Sequence, residues 1–313
     1  MDKHPSFRSL RIGLNDEGKR VDRILRVLLP NCTLANIYRM IRRGDIRLNR
    51  KKVPPTHRVR EGDILSIPLS VWGEDSSPLI STIPSTSLPI LYEDEDFLVL
   101  NKPKGVTAHG DHSLLPQIVQ YLETRIPRSL TYTPGPLHRL DRNTTGVLVF
   151  GKSLQGARMF SSALRDRSIR KYYLTILTGI LRKPALWEHR LQRDSHKRKT
   201  ISGKGKRGEL GITELFPIVH STCLPSGATL TVLRIHTGMT HQIRAQASLE
   251  GHPLLGDVKY GGKTFPGGYF LHAHRLVLPG RLDLLAPLPD AFQRTLRALF
   301  GEEPLTVESI PLY

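Results

Sequence analysis

Residues 136–150 read PLHRLDRNTTGVLVF. An acidic residue, Asp141, stands between Arg139 and Arg142 in a polar loop bounded by Gly146, and Val147–Phe150 follows at once as an apolar strand. Around it, further candidate strands are Phe97–Leu100, Tyr172–Leu177, Gly211–Phe216, Thr229–His236 and Tyr269–Leu271. Candidate helices are Leu114–Glu123, Leu154–Arg165, His241–Leu249 and Phe292–Leu299. Strands and helices do not alternate regularly, which disfavours a doubly wound parallel sheet. We therefore expect an α+β protein: a large mixed, mainly antiparallel sheet flanked by helices, plus a small N-terminal α/β domain. No repeat of 20–50 residues is present.

The N-terminal part carries its own pattern. Val21, Ile24, Leu25 and Leu28 fall at helical spacing, and Pro30 ends that helix. Thr33 can cap a second helix with Leu34, Ile37, Tyr38 and Ile41 on one face, and Gly44 suits its left-handed end. Ile46–Asn49 and Arg50–Val53 read as strand, turn, strand. Arg39, Arg42, Arg43, Arg50, Lys51 and Lys52 gather here, as phosphate-gripping cations or as an ordinary solvated face. Base-stacking aromatics are not interleaved with them, which favours backbone and shape contacts over sequence readout. Residues 71–89 are rich in Ser, Thr and Pro and read as a linker, which sets expected domains at 1–70 and 90–313.

Charge points to the partner. The chain of 313 residues has 46 Lys+Arg against 28 Asp+Glu, a net +18 and an excess suited to a polyanion, nucleic acid first. Half of it, +9, lies in residues 1–70. The composition excludes a membrane-spanning apolar run, and Met1–Pro5 offers no secretory h-region. Cys32 and Cys223 can build neither a disulfide framework nor a zinc site, so the reducing cytoplasm is the expected compartment.

Two motif-like features are set aside. Gly203–Gly208 matches G-x-G-x-x-G, but no apolar strand is expected before it and a strand rather than a helix after it, so it is no dinucleotide site. Residues 193–207 carry seven Lys or Arg and one Asp, and read as a flexible cationic loop over a nucleic-acid groove or as a purely disordered surface loop; Lys197, Arg198 and Lys199 are its candidate nucleic-acid contacts. The histidines of the C-terminal third lack ligand spacing, and no metal is expected. Asp141 has two readings. Its flanking guanidinium groups would keep it ionised, below the reference of about 3.9, as a nucleophile, base or oxocarbenium stabiliser, or as half of a buried structural brace.

The sequence HRLDRNTTGVLVF resembles the signature of the RluA-type pseudouridine synthases, HRLD followed by x-x-T-S-G. ILYEDEDFLVLNKPKGVTAHG, KYYLTILTG, TGMTHQIRAQ, LLGDVKYGG and LHAHRL resemble further blocks of that family in the same order, across about residues 90–290. The run IYRMIRRGDIRLNRKKVPPTHRVREGDILSIP is similar to the RNA-binding domain of small-subunit ribosomal protein S-four, over roughly residues 18–68. With it the chain looks closest to the branch called RluC. Departures are Thr145 for Ser, Met239 for Arg, and Ala245-Gln246 for Val-His.

The resemblance implies an isomerase that converts uridine to pseudouridine in RNA, large-subunit ribosomal RNA by its branch, with no cofactor and as a monomer. Asp141 is then the essential carboxylate, which either attacks the anomeric carbon or removes the ribose 2′ proton. Tyr173 packs beneath the uracil as base or relay, and Arg244 pairs with the aspartate. Arg139 fills the space of the extruded uridine. The same reaction on transfer RNA and a non-catalytic ribosomal RNA-binding protein are the alternatives. A metal-dependent nuclease is disfavoured because paired carboxylates are missing.

Overall fold

A computed structural model describes residues 6–72, 88–108, 113–126, 129–194, 199–203 and 208–301. Tertiary contacts group the chain into two units. The first holds residues 1–87, 115–135 and 151–157, and the second holds 88–114, 136–150 and 158–313. Cys32 and Cys223 are free thiols.

In the first unit, β1 (Phe7–Arg11) is followed by α1 (Val21–Leu28), α2 (Leu34–Arg43), β2 (Arg47–Leu48), β3 (Ile64–Pro68) and the single turn α3 (Leu69–Trp72). The strands lie in the order β1-β3-β2. Val21, Ile24, Leu25, Ile37 and Ile41 are buried with Leu65 and Ile67, as the helical spacing requires. Thr33 Oγ1 accepts from the Asn36 N–H, and Gly44 ends α2 at φ 82°. Asp22 ties the two helices by accepting from Arg20 and from the Tyr38 hydroxyl.

The expected second strand at Arg50–Val53 is not formed. Asn49 and Arg50 both take positive φ, a two-residue turn, and after it only Lys51 bridges back to Leu48. β2 pairs with β3 instead. The Asn49 amide accepts from the Ile64 N–H and donates to Asp63, so the asparagine and the REGD turn brace one another. Asp16, fully buried, accepts from Ser129, Leu130 and Thr131, which ties the middle of the chain into this unit.

The later elements are β4 (Ile90–Glu93), β5 (Phe97–Lys102), α4 (Leu115–Glu123), β6 (Gly135–Pro136), β7 (Thr145–Gly151), α5 (Leu154–Arg165), β8 (Arg170–Thr178), β9 (Ala185–Asp194), β10 (Lys199–Ser202), β11 (Glu209–Ser221), β12 (Ala228–Ile235), α6 (Gln242–Leu249), β13 (Leu271–Leu278), β14 (Leu282–Leu285) and α7 (Asp290–Phe300). The strands β4 to β14 form one sheet in the order β10-β9-β11-β12-β8-β13-β7-β5-β4, with β14 on β13 and β6 on β7. Pairing is antiparallel along β10-β9-β11-β12-β8-β13, whereas β13 runs parallel to β7. The fold is the expected α+β class with a mixed, mainly antiparallel sheet.

Strand alternation places the chemistry. On β8, Tyr172, Leu174 and Ile176 pack with Phe292, Leu296 and Leu299 of α7. Lys171 and Tyr173 point the other way and line a cleft. β7 is buried along its whole length, and Val147 and Val149 pack with Phe97 and Phe160. Gly146 has φ 107°, and a Cβ there would lie 2.2 Å from the Ala273 carbonyl oxygen, so the β7–β13 contact requires glycine.

Two further expectations need correction, and one strand had no expectation at all. The strand expected at Tyr269–Leu271 begins only at Leu271 and runs to Leu278. β9 carries only two apolar buried side chains, Trp187 and Leu191, a pattern too sparse to announce a strand. The cationic stretch is not wholly loop: Lys199–Ser202 pairs with Leu191–Asp194 as a hairpin, while Lys197 and Arg198 lie outside the described residues. Among the described residues no helix is long and apolar enough to cross a membrane.

Three histidines, two of them buried, should make the fold acid-sensitive. His138 Nε2 accepts from the Val149 N–H at 3.1 Å, and burial, with the nearby Lys171 charge, pushes its imidazole down to about 3. His272 and His274 are pushed down to about 4, chiefly by burial. From their ordinary ~6.5 down to about 4 the unfolded chain takes up protons that the folded chain refuses. Stability therefore falls as pH falls through that window, by up to ~1.4 kcal/mol per pH unit for each histidine. Guanidinium chloride midpoints measured at about pH 7.5, 6 and 5 should decline steadily.

Candidate active site

Asp141 lies in the loop before β7, where the Thr144 N–H donates to its backbone carbonyl at 3.0 Å. The loop is cross-braced to residues 102–106. The Gly105 N–H and the Lys102 ammonium both donate to the Arg142 carbonyl, and Arg142 Nε donates to the Gly105 carbonyl at 2.8 Å. Lys102 is fully buried and also donates to the carbonyls of Pro103 and Val106; burial lowers it to about 8, against the pull of Asp141. Thr145 supplies the hydroxyl that serine would, bonded to His272 Nδ1 at 2.7 Å.

The flanking arginines do not hold the aspartate as expected. Arg142 is committed to Gly105, and Arg139 is exposed. The partners come from the other end of the unit. Arg244 Nη1 stands 3.5 Å and His241 Nε2 3.7 Å from Asp141 Oδ2. Arg244 is itself clamped by Asp257, which accepts from Nε at 2.7 Å and Nη2 at 2.8 Å. Its guanidinium lies 4.9 Å from the Tyr260 ring centre and 4.4 Å from that of Tyr269. Burial disfavours the Arg244 charge most strongly, but the Asp257 hydrogen bonds, together with the electrostatic pull of Tyr269, Asp257 and Asp141, outweigh it and raise the guanidinium above its usual value. Two of three nitrogens are thus spent on Asp257, and the third faces Asp141.

Asp257 was not singled out from the sequence, although LLGDVKYGG contains it. An acidic residue just after Gly256, within a stretch that buries Leu254, Leu255 and Tyr260, was the available signal.

The helix α6 that carries Arg244 is bolted down by amides. Gln242 bonds Thr237, the Met239 N–H, Ile212 and Thr213, and Gln246 bonds Thr213, Trp187 and Gly211. Gln246, a departure from the family pattern, is fully buried and fully engaged. Met239 packs against Leu191, Ala245 and Tyr260.

Asp141 lies where two cavities meet, one of about 550 Å³ and one of about 1110 Å³. Arg139 borders both; Lys104 and Lys259 line the first, Lys171, Tyr173 and Gly238 the second. Burial, and then the Asp141 charge, raise the Tyr173 phenol above its ordinary value, so it is neutral at pH 7. Lys199 stacks its ammonium 4.5 Å from the centre of the Tyr260 ring. In the first unit, Arg39, Arg42, Arg43, Arg50, Lys51 and Lys52 are all exposed, with Arg39 bonded to Asn36 and Arg43 paired with Asp45. Among the described residues no cluster of side chains could hold a metal ion.

The loop before β7 thus presents a carboxylate to cation-lined clefts, one of them shared with a neutral tyrosine. Residues 96–249 match the family model for RNA pseudouridylate synthase, and the chain belongs to that family; it is an RNA pseudouridine synthase. The ribosomal large subunit pseudouridine synthase C of Salmonella typhimurium is 30% identical over 321 residues, covering 94% of this chain and 97% of that protein. The protein of the same name from Vibrio vulnificus is 30% identical over 310 residues, covering 90% and 93%. The fold is shared with human RNA pseudouridylate synthase domain containing 4, at TM-score 0.55 and 24% identity over 66% of this chain and 91% of that one. Domain containing 1 from human matches at TM-score 0.53 and 27% identity over 69% and 89%.

The clamp can be tested alone. Asp257→Ala strands the Arg244 charge in a buried site, and we expect it to cost about 3–5 kcal/mol of unfolding free energy. Asp257→Asn keeps one acceptor and should cost less. Guanidinium chloride denaturation reads both.

Proposed function

We propose that this synthase isomerises uridine in large-subunit ribosomal RNA and that Asp141 is its reacting carboxylate. The observation that carries the catalytic reading is the geometry around Asp141: a carboxylate open to both cavities, faced by a guanidinium that Asp257 already holds rigid. The ribosomal substrate is supported by the relatives of that name, which align over nearly their whole length.

The reaction breaks the bond from uracil N1 to the ribose anomeric carbon, rotates the base and forms a bond from carbon five to that carbon. Both available routes start at Asp141: attack on the anomeric carbon, or removal of the 2′ proton to give a glycal. Arg244 keeps the carboxylate oriented through either. Tyr173 packs against the base and, being neutral, takes the carbon-five proton only while passing its own onward, as a relay. Arg139, exposed at the rim of both cavities, occupies the space of the extruded uridine; taking that base out of its stack costs a few kcal/mol, which phosphate contacts offset. Lys199 and the neighbouring Lys197 and Arg198 contribute to those contacts.

Residues 1–70 are the second RNA anchor, of the S-four type, and 90–313 the catalytic part. Gripping is assigned to Arg39, Arg42, Arg43, Arg50, Lys51 and Lys52. All the catalytic groups assigned here come from one chain, so a monomer carries a complete site.

Asp141→Ala should abolish tritium release from carbon-five-labelled uridine in ribosomal RNA while leaving RNA affinity within a few-fold; clear turnover would remove Asp141 from the chemistry. Tyr173→Phe should bind RNA normally and lose roughly 10²–10⁴-fold in turnover, the worth of a positioned proton transfer. A Phe variant at the native rate would leave the ring with packing alone. The same assay on transfer RNA should show no turnover above background.

Neutralising the six exposed cations of the N-terminal part tests the anchor. The slope of log affinity against log salt should fall by about 0.7–0.9 for each cation that had touched a phosphate. Substitution is the cleaner test than deletion, because buried Asp16 serves residues 129–131 and its loss would leave their donors unpaired.

A further inference from the structure

His241 precedes α6 in the left-handed region, at φ 56° and ψ 22°. Non-glycine residues seldom adopt that conformation, and where they do the surrounding structure must hold them there. The ring is held by Tyr260. Its Nδ1 lies 2.9 Å from the Tyr260 hydroxyl, and the two rings meet edge to face at 5.6 Å. The Tyr260 oxygen in turn accepts from the backbone N–H of Thr200 at 2.8 Å. Thr200 belongs to β10, paired with Arg193 in the basic hairpin, and its side chain donates to the Thr240 carbonyl at 2.5 Å.

The protons follow from these contacts. Thr200 occupies one acceptor site of the phenol oxygen, and the phenol hydrogen is free to point at His241 Nδ1. An imidazole that accepts at Nδ1 carries its hydrogen on Nε2. That nitrogen faces Asp141 Oδ2 at 3.7 Å, longer than a hydrogen bond and of the kind that tightens when substrate closes a site. Burial lowers His241 against the pull of Asp141, and Arg244, Lys259 and Arg193 push the same way, so the ring is neutral. It can direct the carboxylate without cancelling its charge.

We propose that His241 is a positioning residue for Asp141, with its Nε2–H tautomer set by Tyr260 and by the backbone of the β9–β10 hairpin, so that the basic hairpin and the carboxylate are placed as one unit. This rests on Asp141 being the reacting group. It assigns to the hairpin a role besides gripping phosphate: it carries the first donor of a chain that ends at the aspartate.

The test uses the full-length protein and ribosomal RNA. Nitrogen NMR of histidine-labelled protein, with His241 identified by its absence in His241→Asn, should show the Nε2–H tautomer. Tyr260→Phe should shift it to a mixture. His241→Asn tolerates the left-handed backbone but has no atom at the Nε2 position. It and Tyr260→Phe should lose up to about 10²-fold in kcat with little change in KM. His241→Gln, whose amide nitrogen reaches the Nε2 position, should recover most of that loss. An Nδ1–H tautomer in the native protein, or His241→Asn turning over at the native rate, overturns the proposal. Asp141→Ala run alongside separates the two readings: turnover there refutes the role of Asp141, whereas the tautomer is read without any turnover.

Discussion

The Arg244–Asp257 pair is buried, bidentate and flanked by two tyrosine rings, and the arrangement of the site hangs from it. A lone guanidinium in that position would be costly; joined to Asp257, it is a rigid cation with one nitrogen left over. That remaining nitrogen is what a carboxylate on a separate loop can meet. The amides of Gln242 and Gln246 keep α6 where the pair needs it, and Gly146 lets β7 come close enough to β13 for the Asp141 loop to arrive.

The site therefore has two layers with different physics. The inner one is ionic, with Arg244 paired to Asp257 and Lys102 hydrogen-bonded to three backbone carbonyls, and it is built to stay still. The outer one is cationic and open: Arg139, Lys104, Lys171 and Lys259 line cavities suited to a polyanion. RNA binding can then draw on screened, salt-dependent attraction at the rim, while the chemistry uses groups whose positions do not depend on ionic strength.

Much of this was legible in the residues. The stripe Val21, Ile24, Leu25 and Leu28, the Thr33 cap and the Gly44 end are local patterns, and local physics determines them. Leu154–Arg165 is the helix its spacing implies. The motif around Asp141 marked the carboxylate, and the family resemblance brought Tyr173 and Arg244 to it. Less legible were β9, whose two buried side chains make no clear period, and the strand after Tyr269, which begins later because Tyr269 turns towards Arg244 instead of joining the ladder.

The sequence by itself determined the basic character of the chain, its helices and central strands, the α+β class and the motif that contains Asp141. Those are properties of composition and of short-range periodicity. The family resemblance named Arg244 as the partner of Asp141; only the tertiary structure decided how that cation is held, by Asp257, and that His241 stands beside it. Of the neighbours in sequence, Arg139 stands exposed at the cavity rim and Arg142 bonds Gly105, while Arg244 and His241, about a hundred residues away, face the carboxylate. Adjacent side chains in an extended loop diverge, and a partner with fixed direction must come from an element that packs against the loop, which no reading of neighbouring residues can supply.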